Sequence, residues 1–128
     1  MRLISDEIYH GITYAEPAQT ALAFTADAVV INSFSKYYSM TGWRLGWMVV
    51  PEELTRSIEC LAQNLFISPP SLSQHAGIAA FDCRDLLDAN VARYARNREL
   101  LLRELLGPGS GTSPPPTVRS TSMRTSPS

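Results

Sequence analysis

One apolar run constrains the fold of this chain more than any other part of its sequence. Residues 28–34 read Ala-Val-Val-Ile-Asn-Ser-Phe, a β-branched segment that lacks the alternation of a half-exposed strand. Such runs are typical of strands buried on both faces of a sheet, as in α/β proteins. A strand of this kind requires neighbouring strands and covering helices, and the rest of the sequence offers candidates for both.

Two further strands are predicted, one before and one after this run. Residues 3–5 form a short strand that ends at Asp6, and the connection that follows is long enough for a crossover between parallel strands. Residues 45–50 follow the central run after only about ten residues, which is too short for a covered crossover. We therefore expect the third strand to return antiparallel beside the second, giving the order first, second, third.

Three helices are predicted after the strands. The first opens with Pro51 and two acids, the residue types preferred in a first helical turn, and prolines break it after Leu65. The second begins at Ser71 or Ser73, and the last carries apolar residues at intervals of three and four. We expect the first helix to run from Pro51 to a break at residues 68–71. The second runs from Ser71 or Ser73 through Ala80, with a kink or restart between Asp82 and Asp85, and the last includes Leu87 to Leu105.

The composition changes sharply after Leu106. Of the 22 residues that follow, 18 are Gly, Pro, Ser or Thr, so this segment holds too few apolar residues to bury a core. We expect residues 1–106 to form the folded part of the chain and residues 107–128 to form a disordered tail.

Charge and cysteine content narrow the classes of function. Eleven basic and twelve acidic residues give a formal charge of −1, which argues against nucleic acid or an anionic membrane as the main partner. The chain has no apolar run of the roughly 18 residues a membrane span needs and no signal peptide, so we expect a cytoplasmic protein. Cys60 and Cys83 lack metal-ligand spacing, and we expect both inside helices as buried small residues.

Polar side chains follow the first two strands at their carboxyl ends. Asp6 and Tyr9 follow the first, whereas Ser33 and Lys36, the chain's only lysine, follow the second. In open α/β sheets, ligands bind in the crevice beyond these ends. Each residue alone has an ordinary explanation: a turn for Asp6, packing for Tyr9, a solvated surface for Lys36. A functional prediction therefore depends on their combination.

That combination resembles a known family. Asp6-Glu7-Ile8-Tyr9, then Ser33-Phe34-Ser35-Lys36, then Thr41-Gly42-Trp43-Arg44-Leu45-Gly46 are similar to motifs of the pyridoxal-phosphate-dependent class I/II aminotransferases, in the aspartate-aminotransferase-like branch of fold type I. The resemblance covers residues 2–106. It implies an α/β fold, namely part of the cofactor-binding large domain, with a mixed, mostly parallel sheet whose third strand is antiparallel, followed by helices.

The resemblance implies a role for five residues. Lys36 would form the Schiff base with the aldehyde of pyridoxal 5′-phosphate and later move the substrate proton. Asp6 would face the pyridine nitrogen and favour its protonated form, and Tyr9 would hydrogen-bond the ring 3′-oxygen. Ser33 and Arg44 would hold the phosphate, the arginine through a charge-assisted fork.

For residues near these five, we expect supporting roles at most. Gly42 and Gly46 would let the backbone bend around the phosphate site, and Ser35 is a less favoured phosphate ligand. His10 lies outside the motif positions that the family uses for chemistry, so we expect a structural role for it.

The implied activity is amino transfer between an amino acid and a 2-oxo acid, in a protein that is a homodimer in the full-length family. Two alternatives remain open. Pyridoxal-phosphate-dependent carbon–sulfur lyases and decarboxylases of the same fold share these residues. The second is a catalytically inactive truncated remnant. A helical module whose lysine is incidental is disfavoured, because the set of motifs is too specific for an unrelated binding protein.

Family members are much longer than this chain, which resembles their middle third. We therefore expect an internal fragment that folds poorly alone and binds cofactor weakly, because a sheet edge and apolar faces stay open. Residues 109–127, reread one frame over with GC-rich codons, give a segment containing Asp-Gly-Ala-Phe-Tyr, which the family would place there. A frameshifted tail is a hypothesis that this rereading suggests, and sequencing the coding DNA tests it.

Overall fold

The computed structural model describes residues 2–105, a three-stranded sheet followed by three helices. The predicted elements are confirmed in type and order, whereas the predicted disordered tail lies outside the described residues. Short 3₁₀ turns at Ala21–Ala23 and Thr41–Trp43 precede β2 and β3. The elements are β1 (Ile4–Asp6), β2 (Val29–Ser33), β3 (Gly46–Val49), α1 (Glu52–Leu65), α2 (Ser71–Ala80) and α3 (Arg84–Leu105).

The sheet has the predicted order and directions. β1 pairs with β2 in parallel, with Asp6 opposite Ile31, and β2 pairs with β3 in antiparallel, with Ser33 opposite Gly46. The parallel pairing continues one residue beyond β1, where the Glu7 N–H donates to the Ile31 carbonyl at 2.8 Å. The carboxyl ends of β1 and β2 therefore meet at one edge of the sheet.

The core surrounds β2 and the turn that follows it. Its buried apolar residues are Ala28, Val29, Val30, Phe34, Met40 and Leu87. At the end of β2, the Phe34 ring lies 4.7 Å from Tyr38, 5.2 Å from Trp47 and 5.6 Å from Phe81, measured between centroids. These four rings form an aromatic cluster that joins the turn after β2 to β3 and to the end of α2.

Two small residues let α2 pack closely on the segment between β2 and β3. Buried Ser73 donates its hydroxyl to the Trp43 carbonyl at 2.7 Å. A Cβ on Gly77 would lie 2.6 Å from Leu45 Cδ2, so the helix approaches this leucine only because the position has no side chain. α2 thereby supports the loop that carries Arg44.

Much apolar surface stays open in the described part of the chain. No residue of α1 is buried, and Leu65 and Ile67 are 76% and 81% exposed. Within residues 2–105, the outer edges of β1 and β3 have no strand partner. An open sheet edge and open apolar faces were the reasons for expecting the isolated chain to fold poorly, and both are present. The low stability itself stays a prediction.

Glu7 is a buried acid that fastens β1 to the crossover connection. Its side chain accepts hydrogen bonds from the Ala21 N–H at 2.8 Å and from the Thr20 hydroxyl at 3.1 Å. Glu7 is only 2% exposed. His10 Nδ1 lies 3.3 Å from the second carboxylate oxygen, a structural contact of the kind expected for this histidine. The sequence motif contained Glu7 but indicated no role for it, because its partners are 13 and 14 residues away.

One expectation about the cysteines is wrong. Cys83 is exposed and lies in the turn before α3, whereas Cys60 lies in α1 and is half-buried.

We predict that Glu7→Ala lowers the free energy of unfolding by about 1–3 kcal/mol, because the half-buried Ala21 N–H and Thr20 hydroxyl lose their acceptor. Urea unfolding followed by tryptophan fluorescence measures the change. Glu16→Ala, at an exposed acid of the same connection, is the control. Equal midpoints for the two variants would contradict the prediction.

We predict that Gly46→Ala destabilises the sheet by about 1–3 kcal/mol, because the new Cβ overpacks the strand pair. An ideal Cβ at Gly46 lies 2.7 Å from the Asn32 carbonyl oxygen, and this backbone atom cannot rotate away. The matched control is Gly42→Ala, whose Cβ meets nothing within 4 Å. The same urea measurement should leave the control unchanged or slightly stabilised, and a reversed order of the two variants would refute the packing argument.

Candidate functional site

The turn after β2 places Lys36 beside Tyr9. The turn is closed by two backbone hydrogen bonds, from Ser39 N–H to the Lys36 carbonyl and from Met40 N–H to the Phe34 carbonyl, both 3.0 Å. Lys36 is half-buried, and its Nζ lies 5.2 Å from the centroid of the Tyr9 ring. A cation over a ring at this distance is stabilised by roughly 0.5–1 kcal/mol at an accessible site. The structure therefore brings the lysine of one motif to the tyrosine of the other.

Asp6 ends β1 at the same edge of the sheet. Its side chain is exposed, and Oδ1 accepts a hydrogen bond from the Ile8 N–H at 3.2 Å. This is an Asx-type turn, which redirects the chain from the strand toward Tyr9. The ordinary turn role of Asp6 is thus present in the structure, and its role toward a ring nitrogen stays a prediction.

Ser33 and Ser35 form a pair of hydroxyls at the end of β2. Their Oγ atoms are 2.9 Å apart, and the Ser35 N–H donates to Ser33 Oγ at 3.0 Å. The Leu45 carbonyl lies 3.3 Å from the Ser33 hydroxyl, which connects the pair to the start of β3. Ser35, the less favoured candidate for a phosphate ligand, is therefore in direct hydrogen-bond contact with Ser33.

Arg44 lies at the other end of the same loop, in an exposed and strained position. Its backbone is left-handed, with φ 53° and ψ 47°, a conformation that costs a non-glycine residue on the order of 1–3 kcal/mol. The guanidinium donates to the Thr41 carbonyl at 2.9 Å, and the Thr41 hydroxyl donates to the Ser35 carbonyl at 2.7 Å. Thr41 therefore links the arginine to the serine pair.

The two glycines of this loop do not act as expected. Gly42 has no left-handed φ, and a Cβ there would meet no atom within 4 Å, so the expectation that it bends the backbone is wrong. Ser39 and Arg44, with φ 57° and 53°, make the left-handed steps instead. Gly46 is required by the close approach of β3 to the Asn32 carbonyl rather than by a bend.

A cleft of about 650 Å³ opens between the end of the sheet and the start of α3. Its walls include Ser33 and Trp47 on the sheet side and Arg84 and Asp88 on α3. Lys36, Asp6, Tyr9 and Arg44 are not among its walls. The cleft therefore reaches the candidate site only at Ser33.

Tyr37, directly after Lys36, makes a contact that the sequence motifs did not indicate. Its phenol donates to Asp88 Oδ1 at 2.6 Å, across 51 residues. This hydrogen bond, together with burial of the phenol and the negative charge of Asp88, raises the pKa of Tyr37 to about 12. No local pattern could have revealed a partner so distant along the chain.

The residues fit the cofactor that the resemblance implies. Pyridoxal phosphate presents an aldehyde, a phenolic oxygen, a ring nitrogen and a phosphate. The amine of Lys36, the phenol of Tyr9, the carboxylate of Asp6 and the Ser33–Arg44 pair supply one complementary group for each. The sequence contains no second lysine that could compete for the aldehyde.

Residues 2–105 contain neither a metal-binding cluster nor a membrane-spanning helix. No group of three His, Cys, Asp or Glu side chains there is arranged to hold a metal ion. No helix within the same range has both the length and the apolar character to cross a membrane.

Comparison with known proteins supports the fold. The model of the family described as aminotransferase class I and II matches residues 1–117. The valine–pyruvate aminotransferase of Mycobacterium tuberculosis is 54% identical over 106 residues, which cover 80% of this chain and 27% of that protein. The chain thus spans less than a third of the length of this relative.

Solved structures give the same result. An aminotransferase from Mycobacterium tuberculosis superposes with a TM-score of 0.76 at 53% identity, covering 82% of this chain and 30% of that one. A tetra mutant of the Thermus thermophilus aspartate aminotransferase superposes with a TM-score of 0.74 at 27% identity, covering 81% and 31%. The predicted fold class is confirmed as a partial α/β fold of this type.

We predict that the phenol of Tyr37 ionises near pH 12 and that Asp88→Ala lowers this pKa toward the ordinary value of 10.0, because the hydrogen bond that is the main cause of the shift is removed. The pKa is raised in the folded state, so the hydrogen bond contributes its full stabilisation below about pH 10 and loses it as the pH rises toward 12. Tyrosinate absorbance, taken as wild type minus Tyr37→Phe, isolates this group. Tyr14→Phe is the control, and a Tyr37 midpoint equal to that of free tyrosine would contradict the prediction.

Proposed function

Because this chain belongs to the family of class I and II aminotransferases, we propose that it forms the central part of a pyridoxal-phosphate-dependent enzyme that moves an amino group between an amino acid and a 2-oxo acid. One observation carries the proposal. The only lysine in the chain is held half-buried with its Nζ 5.2 Å from the Tyr9 ring, at the sheet edge where β1 and β2 end.

Lys36 is the proposed catalytic residue. When bound, pyridoxal phosphate supplies an aldehyde that captures amines and a ring that takes up electrons from the bond broken at the substrate α-carbon. Lys36 would hold that aldehyde through its amine, with loss of water, and the amine, once free again, would carry the proton from the substrate α-carbon. The hydrogen-bonded turn supports this role because it restricts the long lysine side chain to one region of the site.

Asp6 and Tyr9 are proposed to orient the ring and adjust its charge. A carboxylate beside the ring nitrogen favours the protonated, cationic form, which attracts electrons more strongly. The Asx turn holds the Asp6 carboxylate at the sheet edge rather than leaving it to rotate freely. The Tyr9 phenol would donate a hydrogen bond to the 3′-oxygen, and the 5.2 Å between its ring centroid and Lys36 Nζ supports a role for both residues at one cofactor.

Ser33 and Arg44 are proposed to hold the phosphate, with Ser35 as a secondary donor. The serine hydroxyls and the guanidinium donate hydrogen bonds, and the cationic fork of arginine matches the geometry of a phosphate. The chain of contacts from Ser35 through Thr41 to Arg44 supports this assignment because it fixes the spacing between the hydroxyls and the guanidinium.

The proposed partners are an amino acid, a 2-oxo acid and a second copy of the complete chain, since homodimers are implied by the family resemblance. The relative at 54% identity is named for valine and pyruvate. Valine and pyruvate are therefore the first substrate pair to test.

The proposed function can be tested with a chimera. In this chimera, residues 1–106 replace the aligned segment of the Mycobacterium tuberculosis valine–pyruvate aminotransferase. We predict that the chimera transfers the amino group of valine to pyruvate. Both Lys36→Ala and the charge-matched Lys36→Arg abolish turnover, because neither keeps the primary amine. Arg44→Ala weakens cofactor affinity by about 10- to 100-fold, the loss expected for one charge-assisted hydrogen bond.

Arg96→Ala, at an exposed arginine of α3, is the control for Arg44→Ala and should change nothing. A folded chimera that stays active after Lys36→Ala would refute the proposal. Turnover that needs no pyruvate and releases carbon dioxide or a thiol would instead favour the decarboxylase or lyase alternative.

A further inference from the structure

Tyr37 joins three parts of the structure around the turn that holds Lys36. The first contact is the hydrogen bond of its phenol to Asp88, at 2.6 Å. Asp88 lies in the first turns of α3, on a different wall of the cleft from the end of β2. A hydrogen bond to a carboxylate is shorter and stronger than one between neutral groups. It therefore restrains the residue next to Lys36 against a helix.

The second contact is with the segment that carries Tyr9. Gly11 lies two residues after Tyr9, and a Cβ added there would come within 2.6 Å of Tyr37 Cγ. The Tyr37 ring thus packs directly on the Gly11 backbone. The same ring lies edge-on to Tyr38, 5.1 Å between centroids, and so touches the aromatic cluster. One side chain consequently sets the distance between the Lys36 turn and the Tyr9 segment.

From these contacts we propose that Tyr37 and Asp88 form a tether that positions Lys36 over the Tyr9 ring. The proposal rests on the function assigned to Lys36 above and adds two positioning residues to that site. Tyr37 does not itself react. It acts by fixing the backbone at residue 37, which limits where the flexible four-carbon side chain of Lys36 can place its amine.

The protonation state of the phenol supports the tether. The phenol of Tyr37 is protonated at neutral pH like that of any tyrosine, and the rise of its pKa to about 12 extends the range in which it donates to more alkaline pH. Asp88 accepts the hydrogen bond as a carboxylate, and Arg84, one turn earlier on α3, is the neighbouring cation. The phenol therefore remains a hydrogen-bond donor to Asp88 up to about pH 10.

The single lysine provides a direct measurement that needs no cofactor. Reductive methylation of the full chain with isotope-labelled formaldehyde converts Lys36 to a dimethylammonium group that keeps its charge. The methyl groups give one NMR signal besides that of the amino terminus, and Lys36→Arg identifies which is which. A lysine held over the Tyr9 ring shows an upfield ring-current shift, which Tyr9→Leu removes.

We predict that Tyr37→Phe and Asp88→Ala each remove most of this shift, whereas Asp88→Asn, which keeps a carbonyl acceptor, retains most of it. The double variant Tyr37→Phe/Asp88→Ala should lose no more than either single variant, because both break the same hydrogen bond. Tyr14→Phe and Asp85→Ala, a phenol and a carboxylate elsewhere, are matched controls and should keep the wild-type shift. Circular dichroism of each sample reports whether it is folded.

Four results would overturn the tether. The first is a folded Tyr37→Phe variant whose methyl signal keeps the wild-type shift, and the second is an Asp88→Asn variant that loses as much of the shift as Asp88→Ala. The third is a wild-type methyl signal at the same position as in Tyr9→Leu. The fourth is unfolding of both Tyr37→Phe and Asp88→Ala. The last would mean that the pair stabilises the whole fold rather than Lys36. Failure of the proposed function would look different: the shifts would follow the prediction while the chimera lacks Lys36-dependent amino transfer.

Discussion

The geometry of the site depends on how Phe34 anchors the end of β2. Its N–H donates to the Leu45 carbonyl at 3.1 Å, its carbonyl accepts from Met40 N–H, and its ring lies at the centre of the aromatic cluster. Backbone and side chain therefore fix the start and the end of the loop between β2 and β3 together. Lys36 lies just inside one end of that loop and Arg44 at the other, so a single buried residue controls both.

The loop that Phe34 anchors contains a strained residue, Arg44, next to a residue that α2 supports. Arg44 adopts a left-handed backbone conformation, and the hydrogen bond from buried Ser73 to Trp43 holds the neighbouring residue in place. The small core around β2 must offset this strain while much of α1 remains exposed. In the relative of which this chain covers only 27%, further chain is available to cover such faces, which is why the chimera is a better host for functional tests than the isolated chain.

The strands, the helices and their order could be predicted from the sequence. The features that could not be predicted depend on contacts or backbone conformations that no local pattern encodes. The β-branched run at 28–34, the ten-residue gap to β3 and the prolines after α1 are local signals, and each gave the correct element. Glu7 and Tyr37 were missed because their partners are distant along the chain. The expectation for Gly42 was wrong because composition alone does not reveal which residue of a loop takes the left-handed turn.

The sequence by itself determined the order of strands and helices and the motif that indicates the family, because these depend on local propensity, spacing and residue type. Only the tertiary structure decided that the Lys36 amine lies over the Tyr9 ring, that Thr41 connects Arg44 to the serine pair, and that Asp88 holds the turn through Tyr37. These contacts join segments brought together by folding, and their distances follow from how the sheet, the loop and α3 pack rather than from any pattern along the chain.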